Sequence, residues 1–278
     1  MPATQPQVCS APFDAVASRY DETFTSSIIG QAQRAAVWKE LTRAFQAGDR
    51  VLEIGCGTGV DACHLAERGV EVLACDASSQ MIEVAAHRAR QSDLQALVHT
   101  RTLRAEDIDL LSSDESFDGA FSNFGALNCV TDLRSVAEGL ARLVKPGGIA
   151  LLCWMGPCCL WETLFYLGQG EISKAFRRFH RNGVNARITD NSSLQIHYPS
   201  VRTLARSFGA GFRLKSVHGI GVAIPPSYLE SWARRHQRTM KLCEGFDFWF
   251  GDWPGLRLLG DHVLVKLERR HTESAGAS

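Results

Sequence analysis

The chain of 278 residues is 45% hydrophobic and 22% charged, which fits an ordinary globular protein and excludes disordered and low-complexity classes. Thirty Lys and Arg residues balance thirty Asp and Glu residues, and this argues against nucleic acid as a partner. The N-terminus lacks the features of a signal peptide, and the longest apolar run, Ile149 to Met155, is too short to span a membrane. We therefore expect a cytoplasmic protein without a transmembrane segment.

The first half of the chain alternates short apolar runs with amphipathic segments. Strands are predicted at 50–54, 71–75, 97–103, 117–121 and 149–154, and helices at 33–45, 61–68, 79–90 and 133–143. Strands separated by crossover helices form βαβ units, and right-handed crossovers produce a doubly wound parallel sheet. Its ligand crevice is expected at the carboxyl ends of the strands.

The pattern changes after Trp154. Helical segments are predicted at 160–180, 201–208 and 227–243, and strands at 195–198, 212–217 and 262–267. We interpret the last two strands as the completion of the sheet. The segment between the fifth strand and about Ser200 is then an insertion that lies over the crevice.

A glycine-rich loop, Glu53-Ile-Gly55-Cys-Gly57-Thr-Gly59, joins the first strand to a helix and is typical of a backbone site for a nucleotide-like ligand. A dinucleotide loop needs Gly or Ala at the sixth position from Gly55, where this chain has Val60. Glu53 would also repel a pyrophosphate and attract an ammonium group. The loop therefore favours a ligand that has an amine and a ribose but no phosphate.

Four motifs in this order resemble the class I S-adenosylmethionine-dependent methyltransferases. They are the glycine loop, Asp76, Ala105-Glu106-Asp107-Ile108 and Leu143-Val-Lys-Pro-Gly-Gly148. The segment from Phe13 to Asp21 is similar to one in quinone C-methyltransferases. The resemblance implies an α/β fold with a doubly wound, Rossmann-like, seven-stranded mixed sheet, whose last strand is antiparallel, and an inserted lid.

The resemblance also implies how the chain is organised. We predict one methyltransferase domain over residues 1–278, with an N-terminal helical segment at 11–46, a cofactor-binding core at 50–154, an acceptor lid at 155–200 and the completion of the sheet at 201–270. The cofactor would be S-adenosylmethionine and the product S-adenosylhomocysteine.

Residue roles follow from the same resemblance. The glycine loop would pass under the methionyl group, Asp76 would accept the ribose hydroxyls, and Asp107 would accept the adenine amino group. Several of the predicted contacts also have a structural interpretation. Met81 fits an ordinary core position, Glu106 and Asp107 fit a solvated loop, and Tyr20 fits simple packing. The predicted cofactor contacts are Tyr20, Glu53, Gly55, Gly57, Gly59, Asp76, Ala77, Met81, Glu106, Asp107 and Asn123.

The acceptor is expected where the chain leaves the fourth strand. Asn123-Phe124-Gly125 lacks the two prolines of the Asn-Pro-Pro-aromatic motif of amino-methylating DNA enzymes, which disfavours a nucleic acid base as the acceptor. Aromatic residues of the insertion indicate a flat or apolar small molecule, although they would serve equally as the core of the added helices. The predicted pocket residues are Phe124, Asn128, Trp154, Trp161 and Tyr198.

No catalytic base is assigned, because a base is needed only when the acceptor is a hydroxyl or an acidic carbon. The candidates are His197, Tyr198 and His218, each of which also fits a structural role. Two basic runs, Arg177 to Arg181 and Arg234 to His236, could meet an acidic substrate or a membrane surface, or could be solvated helix faces.

Three other functions fit the sequence less well. No metal site is expected, because the nine cysteines contain no C-x-x-C pair, and the cysteine arrangement of arsenite methyltransferases is not evident. A nucleotide-dependent oxidoreductase would need a pyrophosphate loop. A non-catalytic S-adenosylmethionine-binding module would lack a reachable acceptor pocket. We predict a methyltransferase that acts on a small-molecule acceptor by direct displacement at the methyl carbon.

Overall fold

A computed structural model of the protein describes residues 11–112, 114–189 and 192–271. Seven of its strands form one mixed sheet, in the order β3-β2-β1-β4-β5-β9-β8, and β6 and β7 form a separate hairpin. The strands are β1 Arg50–Ile54, β2 Glu71–Asp76, β3 Val98–Thr102, β4 Phe117–Ser122, β5 Val144–Trp154, β6 Val184–Thr189, β7 Ser192–Ile196, β8 Phe212–Ile220 and β9 His262–Arg269.

Helices cover both faces of the sheet. They are α1 Ala17–Tyr20, α2 Ile28–Ala44, α3 Val60–Ala66, α4 Ser79–Gln91, α5 Leu133–Leu143, α6 Leu160–Gly168, α7 Ile172–Ala175, α8 Val201–Phe208, α9 Glu230–Arg235 and α10 Gln237–Phe250. The side chains of Ser27, Ser78 and Ser200 cap α2, α4 and α8 by accepting a backbone N–H of the first turn. Among the described residues, no helix is both long and apolar enough to cross a membrane.

The direction of the strands confirms the predicted fold class. β1 pairs in parallel with β2 and β4, β4 pairs in parallel with β5, and β9 runs antiparallel between β5 and β8. The strand order reverses between β1 and β4, which is the switch point where ligands bind in open α/β sheets. The carboxyl ends of β1, β2 and β4 therefore mark the site.

Several elements differ from the prediction in their bounds: α2 begins at Ile28, β7 covers Ser192–Ile196, and α9 and α10 divide a helix predicted at 227–243. β5 begins at Val144 rather than at Ile149, because the chain enters the sheet directly after α5 and Val144 pairs with Phe117. The hairpin strand β6 was not predicted. Its side chains alternate between apolar and polar types from Val184 to Ile188, and this period of two is the signal that could have revealed it.

The two faces of the sheet pack into two separate cores. Leu52 and Ile54 belong to the core beneath α5 and α8, whereas Val51 belongs to the core shared with α2. Because successive side chains of a strand point to opposite faces, Glu53 lies on the α2 face together with Val51. This alternation directs the one acidic residue of β1 toward the buried side of α2.

Two helix glycines provide a test of the packing. A Cβ on Gly139 of α5 would lie 2.2 Å from Ile108 Cγ2, whereas a Cβ on Gly245 of α10 would meet nothing within 4 Å. Alanine favours a helix over glycine by about 1 kcal/mol, but overpacking costs about 1–3 kcal/mol. We expect Gly139→Ala to lower the free energy of unfolding in urea and Gly245→Ala to raise it. Equal effects of the two substitutions would contradict this packing.

Candidate functional site

The glycine loop turns back over the end of β2. Gly55, Gly57 and Gly59 all have positive φ angles, of 71°, 52° and 74°. The N–H groups of Gly55 and Cys56 both donate to the carbonyl of Cys75, at 2.8 and 2.9 Å. A Cβ on Gly55 would lie 2.1 Å from the Cβ of Ala126, so glycine is needed there for space as well as for conformation.

Asp76 lies at the end of β2 and holds the loop in place. Its Oδ2 accepts the N–H of Gly57 at 2.8 Å, and its Oδ1 accepts the N–H of Ser78 at 2.9 Å. Burial raises the pKa of Asp76, while these N–H groups oppose the rise. Each carboxylate oxygen can accept more than one hydrogen bond, so Asp76 retains capacity for two hydroxyl groups.

A cavity of about 430 Å³ opens beside this loop. Its size lies within the range of pockets for small ligands. Most of the lining is apolar, and Asp76 and Glu106 supply carboxylates. The lining residues are Ala11, Pro12, Phe13, Ile54, Gly55, Asp76, Ala77, Ser78, Leu103, Arg104, Ala105, Glu106, Ala126, Cys129, Val130 and Leu194. A mainly apolar chamber with carboxylates in its wall suits an adenosine group.

Four of the predicted cofactor residues line this cavity: Gly55, Asp76, Ala77 and Glu106. Met81 and Asp107 are not among the lining residues. Met81 is buried beneath the first turn of α4, and the Asp107 carboxylate lies 3.9 Å from Arg104 on the surface. The adenine contacts of these two residues therefore remain predictions.

Glu53 is the most unusual residue of the site. Its side chain is 1% exposed, and Oε2 has no hydrogen-bond partner within the part of the chain that the structure describes. Burial and the nearby Asp61 raise its pKa well above the usual range, and Arg34 opposes the rise. A buried carboxylate without a partner is costly, and a cation at this point would compensate for it.

A buried polar network lies beside Glu53. Asp61 accepts hydrogen bonds from Arg34 Nη1 at 2.5 Å, Trp38 Nε1 at 2.7 Å and Asn123 Nδ2 at 2.9 Å. Burial raises the pKa of Asp61, but these three donors outweigh it and the net shift is downward. Arg34 Nε and Asn123 Oδ1 are buried without partners among the described residues. The network thus leaves one donor and one acceptor unused near Glu53.

Arg34 and Asp61 were not identified from the sequence. The pattern nevertheless contained a signal, because Arg34 precedes Val37 by three residues and Leu41 by seven. This spacing places all three on one face of α2, and that face is buried. A charged residue on the apolar face of a helix indicates either a buried ion pair or a ligand contact.

The N-terminal helical segment is fastened over the glycine loop by two aspartates. Asp14 Oδ1 accepts from the Ser78 hydroxyl at 2.5 Å. Asp21 accepts from the Thr58 hydroxyl at 2.7 Å and forms an ion pair with Arg88. Because Thr58 belongs to the loop and Ser78 caps α4, these contacts close the segment over the carboxyl ends of β1 and β2.

Tyr20 lies within this segment. Burial, together with the carboxylates of Asp61, Asp76 and Asp21, raises its pKa to about 12 against the opposing effect of Arg34. The phenol is therefore protonated at neutral pH and can donate a hydrogen bond. Its proximity to Asp61, Asp76 and Asp21 agrees with its predicted place over the cofactor. That role stays a prediction.

Phe124, a predicted acceptor contact, packs against the buried polar network. It follows Asn123 at the end of β4 and has a φ angle of 47°, a strained conformation for an aromatic residue. Its ring centroid lies 4.9 Å from the Arg34 guanidinium and 5.4 Å from the rings of Phe24 and His262. Strain of this kind is frequent at functional sites and is consistent with the predicted acceptor contact.

Three other predicted pocket residues hold the lid to the sheet. Asn128 is fully buried. Its Nδ2 donates to the carbonyls of Met155 at 2.8 Å and His197 at 2.5 Å, and its Oδ1 accepts the N–H of Met155 at 2.8 Å. The indole N–H groups of Trp154 and Trp161 donate to backbone carbonyls at 2.8 and 2.9 Å. Since the polar groups of Asn128 are occupied, we assign this residue to positioning the lid instead of contacting the acceptor.

The base candidates lie outside the cofactor cavity. His197 and Tyr198 line a second cavity of about 530 Å³, which shares Val130 with the first. His218 bonds the Ser216 hydroxyl and Asp252, at 2.8 Å each, and lines a third cavity next to α2 and α10. The structure thus separates His218 from the glycine loop, and no catalytic role is assigned to any of the three.

In the first basic run, Arg177 and Arg178 are held by ion pairs, whereas Phe179, His180 and Arg181 are exposed. Arg178 is buried and donates to Glu162 Oε2 at 2.9 Å and to Asp261 Oδ1 at 2.7 Å. Arg177 forms a two-point contact with the same glutamate, at 2.8 and 3.0 Å. These ion pairs connect the lid to the start of β9, so the interpretation of Arg177 and Arg178 as solvent-facing was wrong.

Comparisons with known proteins agree with the fold. Residues 51–148 match a family described as a methyltransferase domain. A demethylmenaquinone methyltransferase of Clavibacter sepedonicus is 37% identical over 149 residues, which cover 54% of this chain but only 58% of that relative. The chain thus aligns with less than two thirds of this relative's length. The predicted resemblance to quinone and other class I methyltransferases is confirmed.

Two solved structures share the fold. The CcbJ methyltransferase from Streptomyces caelestis has a TM-score of 0.60 and 17% identity, with 94% of this chain and 99% of that chain covered. The geranyl diphosphate C-methyltransferase from Streptomyces coelicolor A3(2) has a TM-score of 0.53 and 16% identity, with 85% and 79% covered. The latter was solved in complex with S-adenosyl-L-homocysteine.

Because Glu53 is buried, its replacement is predicted to raise the free energy of unfolding, by an amount that depends on pH. A carboxyl whose folded-state pKa is raised lowers stability as pH rises above its unfolded pKa of about 4.3. We expect Glu53→Gln to match the wild type near pH 4 and to exceed its free energy of unfolding at pH 7, without added ligand. The exposed Glu138→Gln is the control. Urea unfolding that shows the same difference at both pH values would contradict the burial of an unpaired Glu53.

Proposed function

We propose that this chain is an S-adenosylmethionine-dependent methyltransferase that acts on a small-molecule acceptor. One observation carries the proposal: the buried Glu53 precedes the glycine loop, and Asp76, which bonds this loop, lines a mainly apolar cavity beside it. The match of residues 51–148 to a methyltransferase domain covers both carboxylates and supports the same function.

The residues present fit the two ends of this cofactor. The cavity beside Asp76 would hold the adenosine, and the free acceptor capacity of Asp76 would bind the ribose hydroxyls. At the other end, the unpaired Oε2 of Glu53 would bind the ammonium group of the methionyl moiety. Arg34, with an unpartnered buried Nε, would face its carboxylate. The ammonium group of an amino acid zwitterion would thus compensate Glu53, and its carboxylate would accept the unused N–H of Arg34.

When it is bound, S-adenosylmethionine supplies an electrophilic methyl group on a positively charged sulfur, so the protein has to supply alignment and a dry site. The N-terminal helical segment excludes water, because Asp14 and Asp21 fasten it over the loop. Phe24 and Phe124 present aromatic rings to the same space. Tyr20 remains protonated and can donate a hydrogen bond there.

We further propose an apolar or aromatic acceptor that approaches along Phe124. The relative from Clavibacter sepedonicus is a demethylmenaquinone methyltransferase, which makes a demethylmenaquinone the first acceptor to test. The aromatic contacts of Phe124 with Phe24 and His262 support a flat acceptor. Burial lowers the pKa of His262 and outweighs the opposing effect of Asp261, so this ring is neutral at pH 7.

Calorimetric titration with S-adenosylmethionine tests the cofactor site. Hydrogen bonds to charged groups contribute about 1.5–3 kcal/mol, so Asp76→Asn and Glu53→Gln should each weaken binding by about 10- to 100-fold. The control Glu138→Gln, on the exposed surface of α5, should bind as the wild type does. Unchanged affinity in both Asp76→Asn and Glu53→Gln would refute the site.

Transfer of radiolabel from the cofactor tests the reaction. With a short-chain demethylmenaquinone in its reduced form, we expect labelled organic product from the wild type and a rate about 10- to 100-fold lower from Asp76→Asn, at a cofactor concentration well below the wild-type Kd. Label transfer only to other compounds of a metabolite extract would overturn the quinone acceptor but support a methyltransferase. Tight cofactor binding without transfer to any acceptor would indicate a binding module.

A further inference from the structure

Helix α10 has one apolar face that packs on the protein and a second that meets solvent. Met240 is buried against α2 and α9, as part of the first face. Four other apolar residues follow the spacing i, i+4, i+7 and i+11, which places them along one line of the helix and its extension. These residues, the α10 stripe, are Leu242 (74% exposed), Phe246 (41%), Trp249 (72%) and Trp253 (55%).

The α10 stripe is not part of the protein core. Its residues lie about 120–180° around the helix from the buried Met240 and about 100–160° from the half-buried Asp247. Asp247 faces inward and accepts the N–H groups of Val222 and Ala223 at 3.0 and 2.6 Å. Two tryptophans that are mostly exposed on a single line mark an interaction surface more often than a solvated one.

Unpaired cations border the stripe. Arg235, Arg238 and Lys241 are exposed and form no ion pair with any residue that the structure describes. The neighbouring Arg234 is paired with Glu230 at 2.9 Å. Glu244, the other acidic residue of α10, lies on the side of the helix opposite Leu242. Asp252, next to Trp253 in the extension of α10, is exposed and bonds His218 at 2.8 Å. The remaining outward side chains of α10 and its extension are mainly apolar or positively charged.

A second exposed apolar row lies close by on the lid. Leu160, Leu164 and Leu167 of α6 are exposed and have the same i, i+4, i+7 spacing. The Leu160 N–H donates to the carbonyl of Leu259 at 2.9 Å, in the segment that follows Trp253. The segment that follows the α10 stripe therefore contacts the start of this second row, on the lid.

From this placement we propose that the α10 stripe and its cations dock the protein on an anionic lipid surface. A helix with apolar and aromatic residues on one side and Arg or Lys beside them lies in the interface of a bilayer, where Trp is favoured and cations meet acidic headgroups. Docking of this kind is peripheral, which agrees with the finding that no described helix could cross a membrane.

The charges favour a lipid surface over a second copy of the chain. A symmetric dimer through α10 would place the same patch of each protomer against its counterpart. Arg235, Arg238 and Lys241 would then approach their own copies without acidic partners on this face, and like charges repel. An anionic lipid surface supplies the missing negative charge and also accepts the apolar side chains. The inference does not depend on the proposed methyl transfer.

Co-sedimentation with vesicles tests the inference. The full chain should bind vesicles of phosphatidylcholine with phosphatidylglycerol, and bind vesicles of phosphatidylcholine alone much more weakly. At about 1 kcal/mol per cation near an anionic surface, Arg238→Gln with Lys241→Gln should weaken binding to the mixed vesicles about 30-fold. Trp249→Gln with Trp253→Gln should weaken it roughly tenfold or more, because two large apolar groups are removed.

The matched control is Leu110→Gln, which removes an equally exposed apolar side chain (70%) far along the chain from α10 and should bind as the wild type does. Urea unfolding verifies that each variant folds. Failure of the wild type to bind mixed vesicles would overturn the inference, as would equal losses in Leu110→Gln and the double tryptophan variant. A concentration-dependent dimer in ultracentrifugation that the tryptophan variant abolishes would assign the stripe to a second copy instead.

Discussion

The buried carboxyl group of Glu53, whose Oε2 has no hydrogen-bond partner among the described residues, is the constraint on which the site depends. Glu53 is directed to the α2 face by the alternation of β1, where burial raises its pKa and Asp61 raises it further. Arg34 offsets part of this cost, but it is already paired with Asp61 at 2.5 Å. The folded protein therefore retains an incompletely compensated carboxylate at the switch point of the sheet, and a cationic ligand would supply the compensation.

The elements that cover the site are held by charge pairs rather than by apolar packing alone. Asp14 and Asp21 fasten the N-terminal helical segment to the cap of α4 and to the glycine loop. On the other side, Arg178 joins the lid to Asp261 at the start of β9. Both covers thus attach to the carboxyl edge of the sheet, so that ligand access and water exclusion depend on contacts that polar substitutions would loosen.

The region predicted to receive the acceptor is more polar than its aromatic composition suggested. Trp154 and Asn128 are fully buried and use their polar groups to hold the backbone of the lid. Phe124 remains beside Arg34 and His262, at the boundary between the charged network and the aromatic residues. The exposed apolar surface of this part of the molecule lies instead on α10 and α6.

The sequence by itself determined the sheet, the glycine loop and Asp76, because these depend on local patterns: apolar runs, glycines that adopt positive φ, and an acid at a strand end. Only the tertiary structure could decide the pairing of Arg34 with Asp61, since the two lie 27 residues apart and meet only when α2 crosses the sheet. The same holds for Arg178, which looked solvent-facing within its basic run but is buried by Glu162 and Asp261. Periodicity shows which face of an element is apolar, whereas the partner of a buried charge depends on how separate elements pack.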